Sequence, residues 1–319
     1  MIAKNKLNGD FLFDFKEVDL FSVISNIKDS GINSKIFKSE MDDKLVVVND
    51  TINPVGAFKV RGALNAIFSL ISKEPKLKGI CLASSGSFGM ACSYACSYFD
   101  VDAYIFVPVG APLYKIEKIK SLGGNVIVSG DSYEESKSNA IVFAKENKLI
   151  FQDGVDREVF SGNATLALEV NNFINENNME NSKIAFLLPL GIGSLLVPFC
   201  SFFRATDLSF ISIAVEPSSY SKLSYLNDGI NLTLEKTLAD GACVSKFPDF
   251  SEKYIISLVD YYYSANDYEI KCAQDILNNS YGVQSEGAGA LSMSCYLHSR
   301  DFFDDFDFVF VFVSGSNLS

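Results

Sequence analysis

Short apolar runs alternate with amphipathic segments along most of the chain. Between residues 79 and 153 the apolar runs are rich in Ile, Val and Phe, and the segments that separate them place apolar residues at a period near 3.6. This pattern predicts strands over 79–83, 103–108, 125–129 and 149–153, and helices over 90–99, 114–122 and 133–147.

A similar alternation flanks this region on both sides. It predicts strands over 44–49, 184–190, 210–216 and 306–313, and helices over 10–30, 59–71, 162–174, 267–279 and 289–298. Strands separated by helices favour parallel pairing with helical crossovers. We therefore expect an α/β fold of two open, mostly parallel-sheet domains, with a soft boundary near residue 154.

Composition and charge narrow the class of protein. With 319 residues, of which 48% are hydrophobic, the chain can bury large cores, and its length favours about two domains. The 39 Asp and Glu outnumber the 27 Lys and Arg, for a net charge of -12, which would repel nucleic acid and anionic lipid. We expect a soluble protein that acts on small molecules, with no nucleic-acid or membrane partner.

Two segments bear on localisation. Residues 1–20 mix charged and apolar residues, unlike a signal peptide. Residues 184–203 are uncharged and long enough to span a membrane, but Pro189, Gly191, Gly193 and Pro198 interrupt them. This segment is better interpreted as a buried strand, a tight loop and a helix, so we expect a cytoplasmic protein.

Cysteine and histidine usage argues against several kinds of site. The seven cysteines include no C-x-x-C pair and are expected to be reduced core residues. Cys92 and Cys96 are one helical turn apart, so they indicate either two metal ligands or a buried helix face, and the absence of neighbouring His or Cys favours the latter. His298 is the only histidine, so a Ser-His-Asp triad would depend on it alone.

A lysine between a turn and a helix is the first candidate for chemistry. Lys59 follows a turn built from Asn53, Pro54 and Gly56, and it begins an apolar helical pattern. A lysine held there beside Phe58 would be partly desolvated, and desolvation lowers its pKa toward the neutral amine that forms a Schiff base. The alternative is a surface lysine on the first turn of a helix.

Three loops rich in glycine or serine could hold a ligand. They are SSGSFG at 84–89, GIGS at 191–194 and SGSN at 314–317, and each follows a predicted strand, where open α/β sheets bind ligands. Backbone N–H groups at the start of a helix would suit a carboxylate or a phosphate. The loop at 191–194 lacks the third glycine of a dinucleotide fingerprint, so NAD is the poorer interpretation.

The stretch GAFKVRGALNAI at 56–67 and the three loops, in this order, resemble fold type II pyridoxal-phosphate enzymes, a tryptophan synthase beta-like fold. Among these enzymes, the stretch at 56–67 closely resembles the cofactor-lysine segment of the serine racemase and threonine dehydratase group. Further stretches, among them EGAGA at 286–290, also resemble this group, so the likeness runs from about residue 44 to the C-terminus. It implies a large cofactor-binding domain of residues 1–75 and 154–319 and a small substrate-loop domain of residues 76–153.

The resemblance assigns pyridoxal 5'-phosphate as cofactor and gives each matched position a role. Lys59 corresponds to the Schiff-base lysine, and Ser85 to the serine that acts on the opposite face of the substrate Cα in racemases, although Ser85 is somewhat better interpreted as a carboxylate-binding loop residue. The implied cofactor-binding residues are Lys59, Phe58, Ser87, Gly191, Ile192, Gly193, Ser194, Leu195, Glu286 and Ser314. The implied substrate-binding residues are Ser84, Ser85, Gly86, Ser87 and Phe88.

The resemblance also implies a reaction. A neutral Ser314 beside the pyridine nitrogen stabilises a carbanion less than an aspartate would, which favours prompt loss of a β-substituent. We expect an ammonia-lyase (dehydratase) of amino-acid metabolism that converts threonine or serine to a 2-keto acid and ammonia, and a homodimer. The alternatives are a racemase, a β-replacement synthase that intercepts an aminoacrylate, and a non-catalytic regulator that binds the cofactor or an amino acid.

Several positions depart from the family pattern. Ser87 and Phe88 replace the usual Asn-His, Ile192 and Ser194 replace two glycines, and Ser316 replaces another. Relatives with a divalent-ion site use a glutamate that matches Glu216 and an aspartate six residues later, where this chain has Lys222. We therefore expect no metal, with the Lys222 ammonium in the ion's place and paired with Glu216.

Overall fold

The computed structural model describes residues 1–7, 9–14 and 20–316. They form two compact units. The first unit contains residues 1–7, 9–14, 33–52 and 163–316, and the second contains residues 20–32 and 53–162.

The described residues form the following regular elements. The strands are β1 (Ala3–Lys4), β2 (Lys35–Lys38), β3 (Leu45–Asn49), β4 (Gly79–Ala83), β5 (Asp102–Val107), β6 (Asn125–Val128), β7 (Ile150–Phe151), β8 (Ile184–Pro189), β9 (Phe210–Pro217), β10 (Tyr261–Ala265) and β11 (Phe308–Val313). The helices are α1 (Leu20–Asp29), α2 (Lys59–Lys73), α3 (Ser87–Tyr98), α4 (Leu113–Ser121), α5 (Tyr133–Asn147), α6 (Arg157–Asn163), α7 (Thr165–Glu176), α8 (Leu196–Arg204), α9 (Lys222–Asp228), α10 (Asp249–Leu258), α11 (Asp267–Tyr281) and α12 (Gly287–His298).

The first unit is built on one sheet with strand order β1-β10-β9-β8-β11-β3-β2. Its five inner strands pair in parallel, whereas β1 and β2 add antiparallel edges. Parallel inner strands carry their carboxyl ends to the same edge, where open α/β sheets bind ligands. The loops after β8 and β11 therefore lie at one edge of this sheet.

The core of the first unit covers both faces of the sheet. On one face, α12 is buried along most of its length against β8 and β11. On the other, the ring of Phe186 from β8 lies 5.0 Å from that of Phe199 and 4.9 Å from that of Phe203, both on α8. Because the strands are covered on both sides, they are continuous apolar runs rather than alternating ones.

The second unit is built on a parallel sheet with strand order β6-β5-β4-β7. Helices α2 and α3 pack against each other, and Val60, Leu64 and Ile67 of α2 lie in one core with Ile80 and Ile105 of the sheet. The first two turns of α2 are buried as a block. The helix that begins at Lys59 is therefore held firmly at its amino end.

The predicted α/β class, with mostly parallel sheets, is confirmed. The predicted strand 79–83 and helix 133–147 have the observed bounds, and most other predicted elements differ by one to three residues at their ends. The division of the chain into residues 1–75 with 154–319 and residues 76–153 stays a prediction; residues 53–75 belong to the second compact unit.

Two predicted helices need correction. The predicted helix over 10–30 is wrong over 10–14, which are not helical; residues 15–19 lie outside the described residues, and α1 covers Leu20–Asp29. The predicted helix over 162–174 is two helices, α6 and α7. The edge strands β1 and β2 and the inner strand β10 were not predicted, nor were α9 and α10. No helix among the described residues is long and apolar enough to cross a membrane, and residues 184–203 form β8, a loop and α8.

Candidate active site

The turn before Lys59 is held by one side chain. Asn53 Oδ1 accepts hydrogen bonds from the backbone N–H groups of Val55 (3.1 Å), Gly56 (2.9 Å) and Ala57 (3.4 Å). Gly56 has a φ of +72°, a left-handed conformation that glycine adopts without a steric penalty. The turn therefore determines where α2 begins and where Lys59 leaves the backbone.

Lys59 is partly buried beside an aromatic ring. Its Nζ lies 4.6 Å from the centroid of the Phe58 ring, and Phe58 is itself buried. Two residues further along α2, Gly162 of α6 packs so closely that a Cβ built on it would lie 2.4 Å from the carbonyl oxygen of Arg61. Both contacts restrict the first turn of α2, so the backbone that carries the Lys59 amine is held in place.

The loop at 84–89 is folded around the hydroxyl of Ser84. Ser84 Oγ accepts hydrogen bonds from the N–H groups of Gly86 (3.3 Å) and Gly89 (3.2 Å). Helix α3 begins at Ser87, and the N–H groups of its first turn have no acceptor within the helix. Residues Ser85, Ser87 and Phe88 are half-buried around this helix start, which is an arrangement suited to a carboxylate.

Phe88 packs against Gly154, a contact that no local sequence pattern indicates. A Cβ built on Gly154 would lie 2.7 Å from Cε1 of Phe88, and Gly154 has a φ of +77°. The ring therefore packs on bare backbone beside the candidate substrate loop. Its position is determined by residue 154, which is 66 residues away in the sequence.

The loop at 191–194 connects β8 to α8. The Ser194 carbonyl accepts a hydrogen bond from Nδ2 of Asn163 (2.9 Å), and the Ile192 carbonyl accepts one from Oγ of Ser251 (2.7 Å). Both donors are completely buried. These hydrogen bonds hold the loop through its carbonyl groups. The N–H groups at the start of α8 have no acceptor within the helix, and the helix dipole there favours an anion.

Gly193 is the position in this loop where the backbone conformation most strongly requires glycine. Its φ is +86°, and a Cβ built on it would lie 2.8 Å from Cδ1 of Ile255. Ile192, Ser194 and Leu195 adopt no such conformation, which explains why this loop tolerates side chains where relatives have glycines.

We expect Gly193→Ala to weaken binding of pyridoxal 5'-phosphate about tenfold, because the left-handed backbone and the contact with Ile255 would both force the loop to move. A titration of the apo protein measures this. The matched control is Gly229→Ala, since Gly229 has a φ of +68° but no neighbour within 4 Å. Equal affinities of the two variants would contradict the role of the loop.

Ser314 follows β11 at the same sheet edge and is buried. Next to it, a Cβ on Gly315 would lie 2.3 Å from Oε1 of Glu286, and the N–H of Glu286 donates to the carbonyl of Gly315 (3.0 Å). Asn317 of the predicted loop lies outside the described residues. Ser314 and Glu286 are thus neighbours in space although 28 residues separate them.

A fourth segment, which the sequence analysis did not select as a site, completes this edge. A Cβ on Gly191 would lie 3.5 Å from Cα of Ala242, and one on Gly241 would lie 3.4 Å from Oε1 of Glu286. Residues 241–242 therefore link the loop after β8 to the residues around Ser314. The adjacent small residues Gly241 and Ala242 were the only sequence signal for this contact.

The predicted ion pair between Lys222 and Glu216 is present. Lys222 Nζ lies 2.8 Å from Oε1 of Glu216, and both side chains are buried. No group of His, Cys, Asp and Glu side chains within the described ranges could hold a metal ion. That the ammonium stands in for an ion remains a prediction.

Cys92 and Cys96, the pair that is one helical turn apart, are buried thiols. All seven are free thiols. Burial raises the pKa of Cys96 to about 12 and that of Cys92 well above its ordinary value, so both remain protonated on the buried face of α3. Protonated thiols are poor nucleophiles and poor metal ligands.

The residues present fit a phosphorylated aldehyde cofactor. Within the first unit, a helix start with a left-handed glycine suits the phosphate, and the buried hydroxyl of Ser314 suits a ring nitrogen. Within the second unit, Lys59 offers the amine that an aldehyde requires. Which of the predicted residues touch the cofactor stays a prediction.

The fold and these residues define an α/β protein with loops and side chains that suit a phosphorylated aldehyde cofactor. The family model described as pyridoxal-phosphate dependent enzyme matches residues 32–315. The chain belongs to this family, and pyridoxal 5'-phosphate is its cofactor.

Individual relatives agree with this membership. A biosynthetic L-threonine dehydratase of Staphylococcus aureus is 28% identical over 285 residues, which cover 86% of this chain and 67% of that protein. The structure of maize serine racemase has a TM-score of 0.82 and 26% identity, and the match covers 94% of this chain and 93% of that one. The structure of a pyridoxal 5'-phosphate-dependent aspartate racemase has a TM-score of 0.86 over 97% of this chain and 98% of that one, but at 21% identity it shows the fold alone.

These comparisons confirm the predicted family, its fold and its cofactor. The family and the threonine dehydratases together indicate a pyridoxal-phosphate-dependent lyase.

Proposed function

We propose that this protein is an ammonia-lyase that removes the β-hydroxyl of threonine or serine and yields a 2-keto acid and ammonia. The observation that carries the proposal is Ser314, a buried neutral hydroxyl at the carboxyl end of β11. A neutral partner for the ring nitrogen leaves the carbanion less stabilised, and a less stabilised carbanion expels a β-substituent promptly. The similarity to L-threonine dehydratase supports the same reaction.

Lys59 would hold the cofactor through its side-chain amine. Once the amino acid takes its place on the cofactor, the freed amine would accept the proton from Cα. Because this amine belongs to a rigidly held helix start, it is already near the position from which it acts. This lowers the entropic part of the activation barrier for proton transfer. When bound, the cofactor supplies an electron sink for the electrons released at Cα. The Phe58 ring beside the amine limits water around it.

The helix start at residues 84–88 binds the substrate carboxylate. The N–H groups of Ser87 and Phe88 at the start of α3, which have no acceptor within the helix, donate to an anion, and the hydrogen bonds that Ser84 accepts from Gly86 and Gly89 keep the loop in shape. Phe88, packed on Gly154, offers an apolar surface next to this loop. An apolar surface at this place favours a small side chain with a methyl group, as in threonine, over a charged one.

A racemase is the second candidate, and Ser85 is the residue that favours it. Ser85 is half-buried in the loop, and a hydroxyl there can return a proton to the face of Cα opposite Lys59. The likeness to maize serine racemase supports this candidate. A β-replacement synthase, a regulator without turnover and a homodimeric assembly are further proposals that no particular contact favours.

One assay separates these functions. The purified holoenzyme is incubated with L-threonine, L-serine and a panel of other amino acids, and 2-keto acid, ammonia, inverted amino acid and substituted product are measured together. We expect keto acid and ammonia in equal amounts from threonine or serine, and we expect Ser85→Ala to retain most of this activity. Inverted amino acid as the main product, lost in Ser85→Ala, would establish the racemase, and no turnover of any substrate would establish the regulator.

A further inference from the structure

The buried ion pair between Glu216 and Lys222 in the first unit also forms hydrogen bonds with the backbone around it. Glu216 stands at the end of β9, and its carboxylate accepts hydrogen bonds from the N–H groups of Lys222 (3.2 Å) and Leu223 (3.0 Å) at the start of α9. The Lys222 ammonium lies 2.8 Å from that carboxylate and also donates to the carbonyl of Tyr220 (3.0 Å). The pair therefore closes the turn between β9 and α9.

Three hydroxyls extend this network to the next strand. Oγ of Ser221 lies 2.8 Å from Oγ of Ser224, which lies 2.9 Å from Oγ of Ser264 in β10. Ser221 also donates to Glu216 (3.4 Å). The acceptors in this network carry negative charge or lone pairs, and Lys222 supplies the positive charge that lets them be buried together.

Lys222 also contacts a segment that has no regular structure over most of its length. Its Nζ lies 4.9 Å from the centroid of the Phe247 ring, which is 2% exposed. Phe247 belongs to residues 239–247, and this is the segment whose Gly241 and Ala242 pack against Glu286 and Gly191. The Lys222 ammonium thus contacts one end of residues 239–247, and residues nearer the other end of this segment contact the candidate phosphate loop at 191–194.

We propose that Lys222 is a positioning residue: a tethered cation that holds residues 239–247 against the loop at 191–194 and so sets the affinity for the cofactor phosphate. The inference rests on the proposed role of that loop. It assigns Lys222 no contact with the cofactor or the substrate.

The test compares the neutral variant Lys222→Met, the double variant Glu216→Gln/Lys222→Met and the control Lys271→Met. Lys271 forms an ion pair of the same length, 2.8 Å with Asp275, but it is exposed on α11. Two quantities are measured on the apo protein: the Tm, and the Kd for pyridoxal 5'-phosphate at a temperature well below every Tm. Neither depends on turnover.

We expect Lys222→Met to lower the Tm by about 10 °C, because Glu216 would be left buried without its counter-charge. The double variant should regain most of that loss, since it buries no charge. Lys222→Met should raise the Kd about tenfold even where it is fully folded, and the double variant should remain above the wild-type Kd because the anchor for residues 239–247 is still missing. Lys271→Met should change neither quantity.

A lowered Tm with a wild-type Kd in Lys222→Met would overturn the positioning role and leave the pair a purely structural one. A wild-type Tm and Kd would overturn both parts. Failure of the proposed function looks different: the wild-type protein would then bind the cofactor and respond to Lys222→Met as described, but release no keto acid.

Discussion

Lys59→Ala should remove the visible absorbance band of the bound cofactor and lower turnover at least ~10³-fold. The variant lacks both the covalent attachment and the base for the Cα proton, and the adjacent residues in the sequence, Phe58 and Val60, carry no amine. Absorbance spectra of the purified variant and wild type, recorded with and without added pyridoxal 5'-phosphate, measure the first effect. A keto-acid assay measures the second.

The matched control is Lys73→Ala at the other end of the same helix. Lys73 forms an exposed ion pair with Glu158 (2.7 Å), and such pairs contribute about 0–1 kcal/mol to stability. Its removal should leave the spectrum and the turnover unchanged. An absorbance band of equal intensity in Lys59→Ala and wild type would show that another amine carries the cofactor.

The second large effect is expected for Gly289→Ala. A Cβ at this position of α12 would lie 2.1 Å from the carbonyl oxygen of Gly315, an atom of the backbone that cannot rotate away. Helix α12 or the residues after β11 must therefore shift, and overpacking of this kind costs about 1–3 kcal/mol. We expect the free energy of unfolding to fall by that amount and the cofactor affinity to fall with it, because Gly315 adjoins Ser314.

Urea denaturation and a cofactor titration measure the two effects. Gly110→Ala is the control, because nothing lies within 4 Å of the Cβ it would add. It should change neither quantity by more than its small effect on the unfolded chain. A Gly289→Ala variant as stable as the control would mean that α12 does not pack on Gly315 as closely as described.

The alternation of the sequence predicted most of the regular elements, because a buried parallel strand and an amphipathic helix each have a distinct pattern. Strand β4 and helix α5 have the predicted bounds. Three strands were not predicted: β1 and β2 at the edges of the first sheet, and β10 beside β1. They are short or mix positions of different burial, so their pattern is weak, and β1 and β10 pair with strands that are distant in sequence.

The candidate site likewise has features that local sequence signals predicted and features that they did not. The turn before Lys59 was visible because Asn53, Pro54 and Gly56 act locally on their own backbone. The loops at 84–89 and 191–194 were visible because small residues between a strand and a helix are a local signal. The Lys222–Glu216 pair was expected from the resemblance, and its hydroxyl network was not.

The sequence by itself determined most of the strands and helices and their order, the lysine at a helix start, the glycine- and serine-rich loops and the family that these motifs resemble. Only the tertiary structure decided that Gly154 lies under Phe88, that Ala242 contacts Gly191, that Gly289 lies against Gly315 and that Lys222 reaches Phe247. Each of these contacts joins segments that are separated in the chain, and at Gly154 and Gly289 a glycine is needed because of what another segment places against it. The local pattern around such a residue contains no trace of that neighbour, so it cannot be inferred before the chain is folded.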